Sequence, residues 1–204
     1  DFFDKEVDVV DIGTGSGAIA ITLAKEEPRM HVMATDISEE ALAMAKKNAV
    51  NLGVDVDFLQ GDMLEPVYGK KFDILVSNPP YIPSEEYVEP LVKDNEPHVA
   101  LFGGIDGLKF YRIILSNAKR ILKPKSIIAF EHAYNTGDAL RKLIKEYFPL
   151  ARIKNINDMA GRDRMTFIFN DSTKIKNGEV IIFPTDTVYG IGCKFNDTLA
   201  KKKI

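Results

Sequence analysis

The chain has 204 residues, of which 45% are hydrophobic, and a formal net charge of -3. This length is enough for one domain with a full hydrophobic core and part of a second. The charge balance lacks the basic excess typical of nucleic-acid-binding proteins, so no direct nucleic-acid binding is expected. The single cysteine, Cys193, excludes an internal disulfide framework and fits a reducing compartment, so we expect a cytoplasmic protein.

No apolar run in the sequence reaches membrane-spanning length, and no secretory signal is present, so we expect no contact with membranes. The chain starts at Asp1 and stops at Ile204 without completing an element. We interpret it as a piece of a longer polypeptide and expect a monomer.

The chain opens with a strand, a glycine-rich loop and a helix. Residues 7–12 predict the strand, residues 18–25 the helix, and Gly13-Thr14-Gly15-Ser16-Gly17 connects them. Glycines in this context allow a tight turn and let a ligand approach the backbone near the helix N-terminus. The second strand, residues 31–36, ends in Asp36, an acid placed to accept hydrogen bonds from ribose hydroxyls.

The later elements continue this alternation. Ser38 is predicted to cap a helix that ends at Gly53. Further strands are predicted over residues 56–60, 72–77, 126–131 and 179–183, further helices over residues 108–122, ended by Lys123-Pro124, and from Thr136 or Asp138 to Phe148, and a hairpin over residues 151–157 and 165–170. Alternating strands and helices predict an α/β fold, a parallel sheet covered on both faces.

The glycine loop by itself fits two cofactors. Gly13, Gly15 and Ala18 satisfy the dinucleotide pattern, and the acid that ends the second strand would meet the ribose of a nicotinamide cofactor. The third glycine, Gly17, suits the methionine end of S-adenosylmethionine, and a plain structural turn is a third interpretation. Asp11 favours S-adenosylmethionine, because an acid before the glycines repels a pyrophosphate but attracts a positive amino group.

Two residues after the third strand are candidate contacts with adenine. The carboxylate of Asp62 would accept a hydrogen bond from the exocyclic amine, and the thioether of Met63 would lie against the ring face. Packing in the core is the more ordinary role of a methionine such as Met63.

A rigid tetrapeptide, Asn78-Pro79-Pro80-Tyr81, follows the fourth strand. Neither proline has an N–H for a sheet, so the strand ends at Ser77 and Asn78 lies at its carboxyl end, where α/β sheets bind ligands. The Asn78 side-chain oxygen and the Pro79 carbonyl can accept the two N–H bonds of a planar nitrogen, against which Tyr81 can pack. Such placement favours methyl transfer to a nitrogen whose lone pair is delocalised. A turn without function is the alternative.

With the glycine loop and Asp36 upstream, the tetrapeptide resembles that of amino-methyltransferases that use S-adenosylmethionine. In more detail, the chain is similar to the HemK/PrmC family, protein-(glutamine-N5) methyltransferases of class I peptide chain release factors. The similar segments are residues 11–20, 77–82, 95–108, 131–132 and 158–164, and the resemblance covers residues 1 to about 170.

This resemblance implies a Rossmann-like class I S-adenosylmethionine-dependent methyltransferase fold, with a seven-stranded, mostly parallel sheet that ends in an antiparallel hairpin. It implies that the tetrapeptide holds the glutamine amide of a Gly-Gly-Gln loop. Together with the contacts argued above, the candidate cofactor-binding residues are Asp11, Gly13, Thr14, Gly15, Ser16, Gly17, Asp36, Asp62, Met63 and Asn78. The candidate catalytic and substrate-binding residues are Asn78, Pro79, Pro80 and Tyr81, with Glu96 as a further substrate contact.

The chain departs from the family in two respects. The family's N-terminal helical domain, which helps to grip the release factor, is absent from this sequence. Met63 stands where the family more often has an aromatic residue. We therefore expect this piece to keep cofactor binding but to recognise its protein substrate poorly.

The end of the chain resembles a different family. Residues 178–193 are similar to the opening strand and turn of the YrdC-like threonylcarbamoyl-AMP synthases, which act in tRNA modification. The sequence ends before the later motifs of that site, so no synthase activity is expected from this piece. We predict a methyltransferase domain over residues 1–170, a linker over residues 171–178 and the truncated start of a YrdC-like α/β domain over residues 179–204.

The main alternative function is a DNA or RNA amino-methyltransferase, because the exocyclic nitrogen of adenine suits the same tetrapeptide. Acids in the following loop argue against it, since they would repel phosphates. They are Glu85, Glu86, Glu89, Asp94 and Glu96. A nicotinamide oxidoreductase is disfavoured by Asp11 and the tetrapeptide. His31, His98 and His132 lack the spacing of metal ligands, so no metal site is predicted.

Overall fold

The computed structural model describes residues 5–85, 101–174, 181–184, 189–192 and 198–202. The strands are β1 Val7–Ile12, β2 Met30–Asp36, β3 Asp57–Gln60, β4 Phe72–Ser77, β5 Leu122–Glu131, β6 Arg152–Asn157, β7 Asp163–Asp171, β8 Ile181–Pro184 and β9 Tyr189–Gly192. The helices are α1 Ala18–Glu26, α2 Glu39–Leu52, α3 Lys109–Ile121, α4 Gly137–Tyr147 and α5 Thr198–Lys201.

The first seven strands form one sheet in the order β3-β2-β1-β4-β5-β7-β6. Strands β1 to β5 pair in parallel, whereas β7 runs antiparallel to both β5 and β6. The predicted seven-stranded, mostly parallel sheet with a terminal antiparallel hairpin is therefore confirmed. The order reverses between β1 and β4, which makes this point of the sheet the topological switch at which α/β folds bind ligands.

The sheet is covered on both faces, as expected for a parallel sheet. Successive residues of a strand point to opposite faces, and β1 shows this directly. Val10 and Ile12 belong to the larger core cluster, which includes Tyr111 and Ile114 of α3 and residues of α4. Val9 belongs to a second cluster that includes Ala20 of α1. Helices α3 and α4 thus cover one face, and α1 covers the other.

Helix α2 begins and ends where local chemistry predicts. The hydroxyl of Ser38 accepts a hydrogen bond from the backbone N–H of Ala41 at 3.1 Å, which satisfies one of the free donors at the helix start. Gly53 ends the helix in the left-handed conformation, with φ +64°.

The start of β5 differs from the prediction. Lys123 and Pro124 do not separate a helix from a later strand, because β5 begins at Leu122, directly after α3. Leu122 pairs with Phe72, and the register then shifts before the next paired residues of β4 and β5. Pro124 lies in this irregular stretch, where the ladder does not need its missing N–H.

The carboxylate of Asp73 ties together the amino ends of β1, β4 and β5. It is 1% exposed and accepts hydrogen bonds from Lys123 Nζ at 2.6 Å, the Asp8 backbone N–H at 3.0 Å and Lys5 Nζ at 3.2 Å. Burial raises the pKa of Asp73, but these hydrogen bonds outweigh it and lower the pKa below its ordinary value. The interactions therefore stabilise the fold above the unfolded-state pKa and are lost as the pH falls through the folded-state pKa.

Asp73→Ala is expected to lower the free energy of unfolding by about 2–3 kcal/mol, since three donors lose a buried acceptor. Asp8→Ala is the matched control, because it removes the more exposed carboxylate that also contacts Lys123. The control is expected to cost less than about 1 kcal/mol. Urea unfolding at pH 7 compares the two variants, and equal losses would contradict the assigned role of Asp73.

Strands β8 and β9 pair antiparallel in a separate two-stranded sheet. The predicted strand over residues 179–183 is thus described from Ile181 onward. At the start of the predicted linker, Asp171 is the last residue of β7 and Ser172–Lys174 form a 3₁₀ turn. Within the described ranges, no helix has the length and apolar character needed to cross a membrane.

Candidate functional site

The candidate site lies at the carboxyl ends of β1 and β4. These strands pair in parallel up to Ile12 and Ser77, so the glycine loop and the tetrapeptide leave the sheet side by side. The buried hydroxyl of Ser77 donates to the carbonyl of Ile12 at 2.6 Å. This hydrogen bond fixes the last residues of the two strands relative to each other, directly before Gly13 and Asn78.

The glycine loop is held from β2. The backbone N–H groups of Gly13 and Thr14 both donate to the Thr35 carbonyl at 2.9 Å, and the N–H of Gly15 donates to Asp36 Oδ2 at 2.8 Å. Gly13 and Gly15 have φ +72° and +56°, and a Cβ at either position would have no atom of the described residues within 4 Å. The loop therefore presents open backbone beside the end of β4, with room for a ligand to approach.

Gly17, the third glycine of the loop, is required for helix packing rather than for ligand access. A Cβ at Gly17 would lie 2.8 Å from Ile21 Cδ1 and 3.0 Å from Ala45 Cβ. Gly17 therefore allows α1 and α2 to pack closely. Ser16 beside it is exposed, and its carbonyl accepts a hydrogen bond from Asn48 Nδ2 of α2 at 3.0 Å.

Asp11 places a buried carboxylate under the glycine loop. It is 1% exposed, and its Oδ2 accepts a hydrogen bond from the Thr14 hydroxyl at 2.7 Å. Its Oδ1 is buried without a hydrogen-bond partner in the described part of the chain. Burial raises the pKa of Asp11 to about 6, against the opposing effects of the Thr14 hydroxyl and the Ala20 backbone N–H. A buried acceptor without a partner is costly, so Oδ1 is suited to a donor supplied by a ligand.

Asp36 organises the two loops that follow β1 and β2. Its Oδ2 accepts from Gly15 N–H, and its Oδ1 accepts from the backbone N–H of Ser38 at 2.9 Å. A carboxylate oxygen can accept more than one hydrogen bond. Asp36 therefore keeps capacity for hydroxyl donors while it fixes the glycine loop.

Asp62 and Met63 follow β3 on the same edge of the sheet. Asp62 is exposed. Met63 has φ +46°, and its carbonyl accepts from the Thr35 hydroxyl at 2.9 Å. The left-handed conformation is unfavourable for a residue with a side chain, and such strain is concentrated at functional sites. The Met63 side chain is partly buried and packs against the main core, as its more ordinary role predicts.

The tetrapeptide is anchored at its prolines and exposed at its start. Asn78 is exposed, Pro79 is buried, and Pro80 is partly buried. Tyr81 packs against the main core cluster, which contains Tyr111 of α3. A buried proline next to an exposed amide holds that amide on a backbone with little freedom.

Tyr111 is a buried neighbour of this loop that the sequence analysis did not identify. Its hydroxyl donates to the carbonyl of Glu131, at the end of β5, at 2.6 Å, and its ring meets Phe130 edge to face. Burial raises the pKa of Tyr111, and the nearby Tyr81 and Glu131 add to the rise. The phenol therefore stays neutral and joins α3 to the carboxyl end of β5.

Thr35 and Ser77 are the other residues that the sequence analysis missed. Both are buried hydroxyls near the carboxyl ends of apolar strands, and both donate to a backbone carbonyl of the site. The sequence signal that could have identified them is a hydroxyl residue in an otherwise apolar strand, because a buried hydroxyl needs a hydrogen-bond partner. The partner itself cannot be found from sequence spacing.

Part of the predicted acidic rim falls outside the described residues. Glu86, Glu89, Asp94 and the predicted substrate contact Glu96 lie there, whereas Glu85 is described and is exposed. A separate cleft lies among the amino ends of strands, where Asp8, His31 and Phe72 contribute to its lining. The glycine loop lies at the carboxyl ends of the strands instead, so we do not assign this cleft to the site.

Comparisons with known proteins agree with this architecture. Residues 2–98 match the family described as "Methyltransferase small domain". Residues 173–204 match a second family, Sua5/YciO/YrdC, described as "Telomere recombination". The first match agrees with the predicted methyltransferase domain and the second confirms the resemblance to the YrdC-like family, whereas the boundaries at residues 170 and 179 stay predictions.

The chain is similar to release factor glutamine methyltransferases of several bacteria. It is 46% identical over 170 residues to the protein of Bacillus anthracis, which covers 81% of this chain and 60% of that protein. It is 47% identical over 165 residues to that of Bacillus subtilis, which covers 79% of this chain and 57% of that protein. The chain thus spans about three-fifths of the length of these relatives.

Solved methyltransferases share the fold. A methyltransferase of Pyrococcus furiosus is similar with a TM-score of 0.62 at 21% identity, covering 83% of this chain and 77% of that one. A 16S rRNA N2 G1207 methyltransferase of Thermus thermophilus, solved with AdoMet and guanosine, has a TM-score of 0.57 at 18% identity, covering 81% and 38%. The fold is that of a class I S-adenosylmethionine-dependent methyltransferase.

Proposed function

We propose that this chain is the methyltransferase part of an enzyme that methylates the side-chain amide nitrogen of a glutamine in class I peptide chain release factors. The observation that carries the proposal is the meeting of the glycine loop and the tetrapeptide at the switch point of the sheet, directly after the paired Ile12 and Ser77. The homology to release factor glutamine methyltransferases supports the choice of acceptor. A cytoplasmic location and a monomeric state stay predictions.

The residues of the site fit S-adenosylmethionine. Among the described residues, Oδ1 of Asp11 is a buried acceptor without a partner, suited to the positive amino group of the methionine part. Open backbone at Gly13 and Gly15 leaves room beside it. Asp36 would accept from the ribose hydroxyls, and Asp62 and Met63, on the same edge of the sheet, would meet the adenine.

The tetrapeptide would supply the placement that methyl transfer needs. When bound, S-adenosylmethionine supplies an electrophilic methyl group on a positively charged sulfur and leaves as S-adenosylhomocysteine. The Asn78 side-chain oxygen and the Pro79 carbonyl would accept the two N–H bonds of the glutamine amide, and Tyr81 would pack against its plane. Two fixed acceptors orient the nitrogen lone pair and stabilise positive charge as it develops there. The nitrogen loses its proton readily once it is cationic, so no strong base is required.

The test of this function offers labelled S-adenosylmethionine to several acceptors in parallel. The acceptors are a class I release factor, the same factor with the glutamine of its Gly-Gly-Gln loop replaced by alanine, and duplex DNA. We expect label only in the unsubstituted factor. Label in DNA would favour a nucleic-acid methyltransferase, and equal label in both factors would exclude that glutamine as the acceptor.

Asp11 is expected to make cofactor binding dependent on pH. Because its pKa is about 6, the carboxyl loses its charge, and with it the attraction for the amino group, as the pH falls from 7 to 5. Affinity for S-adenosylmethionine should fall by about tenfold over this interval. Asp11→Asn should bind weakly with little pH dependence. Calorimetric titrations at the two pH values provide the measurement, and an unchanged pH slope in the variant would contradict this assignment.

A further inference from the structure

Residues 101–107, which precede α3, lie beside the tetrapeptide and pair with residues 82–84, which follow it. Ile82 and Phe102 form a parallel bridge. The N–H of Ile82 donates to the Leu101 carbonyl at 3.0 Å, and the N–H of Gly103 donates back to the Ile82 carbonyl at 2.8 Å. A third bond joins Ser84 N–H to the Gly104 carbonyl at 2.9 Å. Residues 101–107 thus form a backbone support beside the tetrapeptide.

Gly103 lies directly against the backbone of the tetrapeptide. It is buried, and a Cβ at this position would lie 2.6 Å from the Pro80 carbonyl oxygen and 2.9 Å from Tyr81 Cα. It would also lie 2.8 Å from the carbonyl oxygen of Gly107. All three are backbone atoms, so a side chain at Gly103 would have to displace the tetrapeptide or the support itself.

Gly107 makes the second contact of this kind. A Cβ at Gly107 would lie 2.4 Å from the Tyr81 carbonyl oxygen, and its φ of +72° also favours glycine. The two glycines therefore contact the carbonyls of the last two residues of the tetrapeptide, Pro80 and Tyr81.

The support is itself fixed to α3. The N–H of Lys109 donates to the Gly103 carbonyl at 3.0 Å, and the N–H of Leu108 donates to Asp106 Oδ1 at 3.1 Å. Asp106 also forms an ion pair with Arg112 of α3. Helix α3 is in turn joined to the end of β5 through Tyr111. The position of Pro80 and Tyr81 is thereby tied to the main sheet from two sides, through β4 and through α3.

We propose that Gly103 and Gly107 are positioning residues for methyl transfer: the absence of side chains at both lets the support hold the backbone that carries Asn78 and the Pro79 carbonyl. The inference rests on the function proposed above. A displacement of about 1 Å at reacting groups lowers rates by about 10²-fold. A methyl group at either glycine requires movement of comparable size, because the contacts of 2.4–2.6 Å are far below ordinary van der Waals distance.

The first test measures Gly103→Ala and Gly107→Ala in the full chain with a release factor as acceptor. We expect kcat to fall by about 10–100-fold. The Kd for S-adenosylmethionine should stay within about twofold, because the glycine loop that binds it is untouched. Gly69→Ala is the matched control for Gly107, because Gly69 has φ +90° but no atom of the described part of the chain within 4 Å of an added Cβ. The control should lose stability through backbone strain and keep kcat. Unchanged kcat in both variants, or an equal loss in the control, would overturn the proposal.

The second test does not depend on activity. The NMR signals of the Asn78 side-chain amide and of the Pro79 and Pro80 carbonyl carbons should shift in Gly103→Ala, which carries no left-handed backbone strain, while the Gly13 and Gly15 signals should not. Unmoved tetrapeptide signals would overturn the proposal. If the signals move but the unsubstituted protein methylates no release factor, the structural role of the two glycines is upheld. The proposed function is then the part that is contradicted.

Hydrogen exchange on the unsubstituted chain keeps the proposal testable even where a variant does not fold. The amides of Ile82, Ser84 and Gly103 donate to backbone carbonyls of the support or the chain beside it, so we expect slow exchange at all three. Exchange as fast as that of an exposed loop amide would overturn the proposal.

Discussion

Asn78→Ala is expected to abolish detectable methyl transfer while affinity for S-adenosylmethionine stays nearly unchanged. The substitution removes one of the two proposed acceptors for the glutamine amide and one of ten candidate cofactor contacts, and it leaves Asp11, the glycine loop and Asp36 intact. Loss of one fixed acceptor or donor at a developing charge lowers kcat by about 10²–10³-fold. Single-turnover rates with a release factor, together with calorimetric titration of S-adenosylmethionine, separate the two effects.

Two further variants sharpen this test. Asn78→Asp retains an acceptor oxygen at the same place and is expected to keep more activity than the alanine variant. Asn51→Ala, which removes an exposed asparagine of α2, should behave as the unsubstituted chain. Undiminished turnover in Asn78→Ala would exclude the proposed role of this side chain.

Asp36→Ala is expected to weaken S-adenosylmethionine binding by about 10–100-fold. The variant loses the charged acceptor proposed for the ribose hydroxyls, and hydrogen bonds to charged groups contribute about 1.5–3 kcal/mol each. It also leaves the Gly15 and Ser38 N–H groups without their acceptor, which loosens the glycine loop. Calorimetry gives the change in Kd directly.

Asp57→Ala is the matched control for Asp36. Asp57 is an exposed acid at the amino end of β3, whereas Asp36 lies at the carboxyl end of the neighbouring strand β2. Its substitution should leave the Kd unchanged at equal ionic strength. If Asp36→Ala binds as tightly as this control, the ribose contact is assigned to the wrong residue.

Features that depend on a few neighbouring residues were predicted well. The start of α2 at Ser38 and its end at Gly53 follow from capping chemistry, and the end of β4 at Ser77 follows from two prolines without N–H groups. The alternation of strands and helices predicted the parallel sheet, and the two strand-like runs joined by residues 158–164 predicted the terminal hairpin. The start of β5 at Leu122 was not predicted, because Pro124 is tolerated there by a register shift, and register depends on the partner strand.

By itself, the sequence determined the class of fold and the chemical types of residue at the end of each strand. These follow from local backbone preferences, hydrophobic periodicity and the residues that interrupt them. Only the tertiary structure decided that Asp11 keeps one buried oxygen without a partner in the described part of the chain, that Thr35 holds both the glycine loop and Met63, and that Gly103 and Gly107 lie against the tetrapeptide. Each of these contacts joins segments distant in the chain, so it depends on strand order, register and close packing rather than on the spacing of residues.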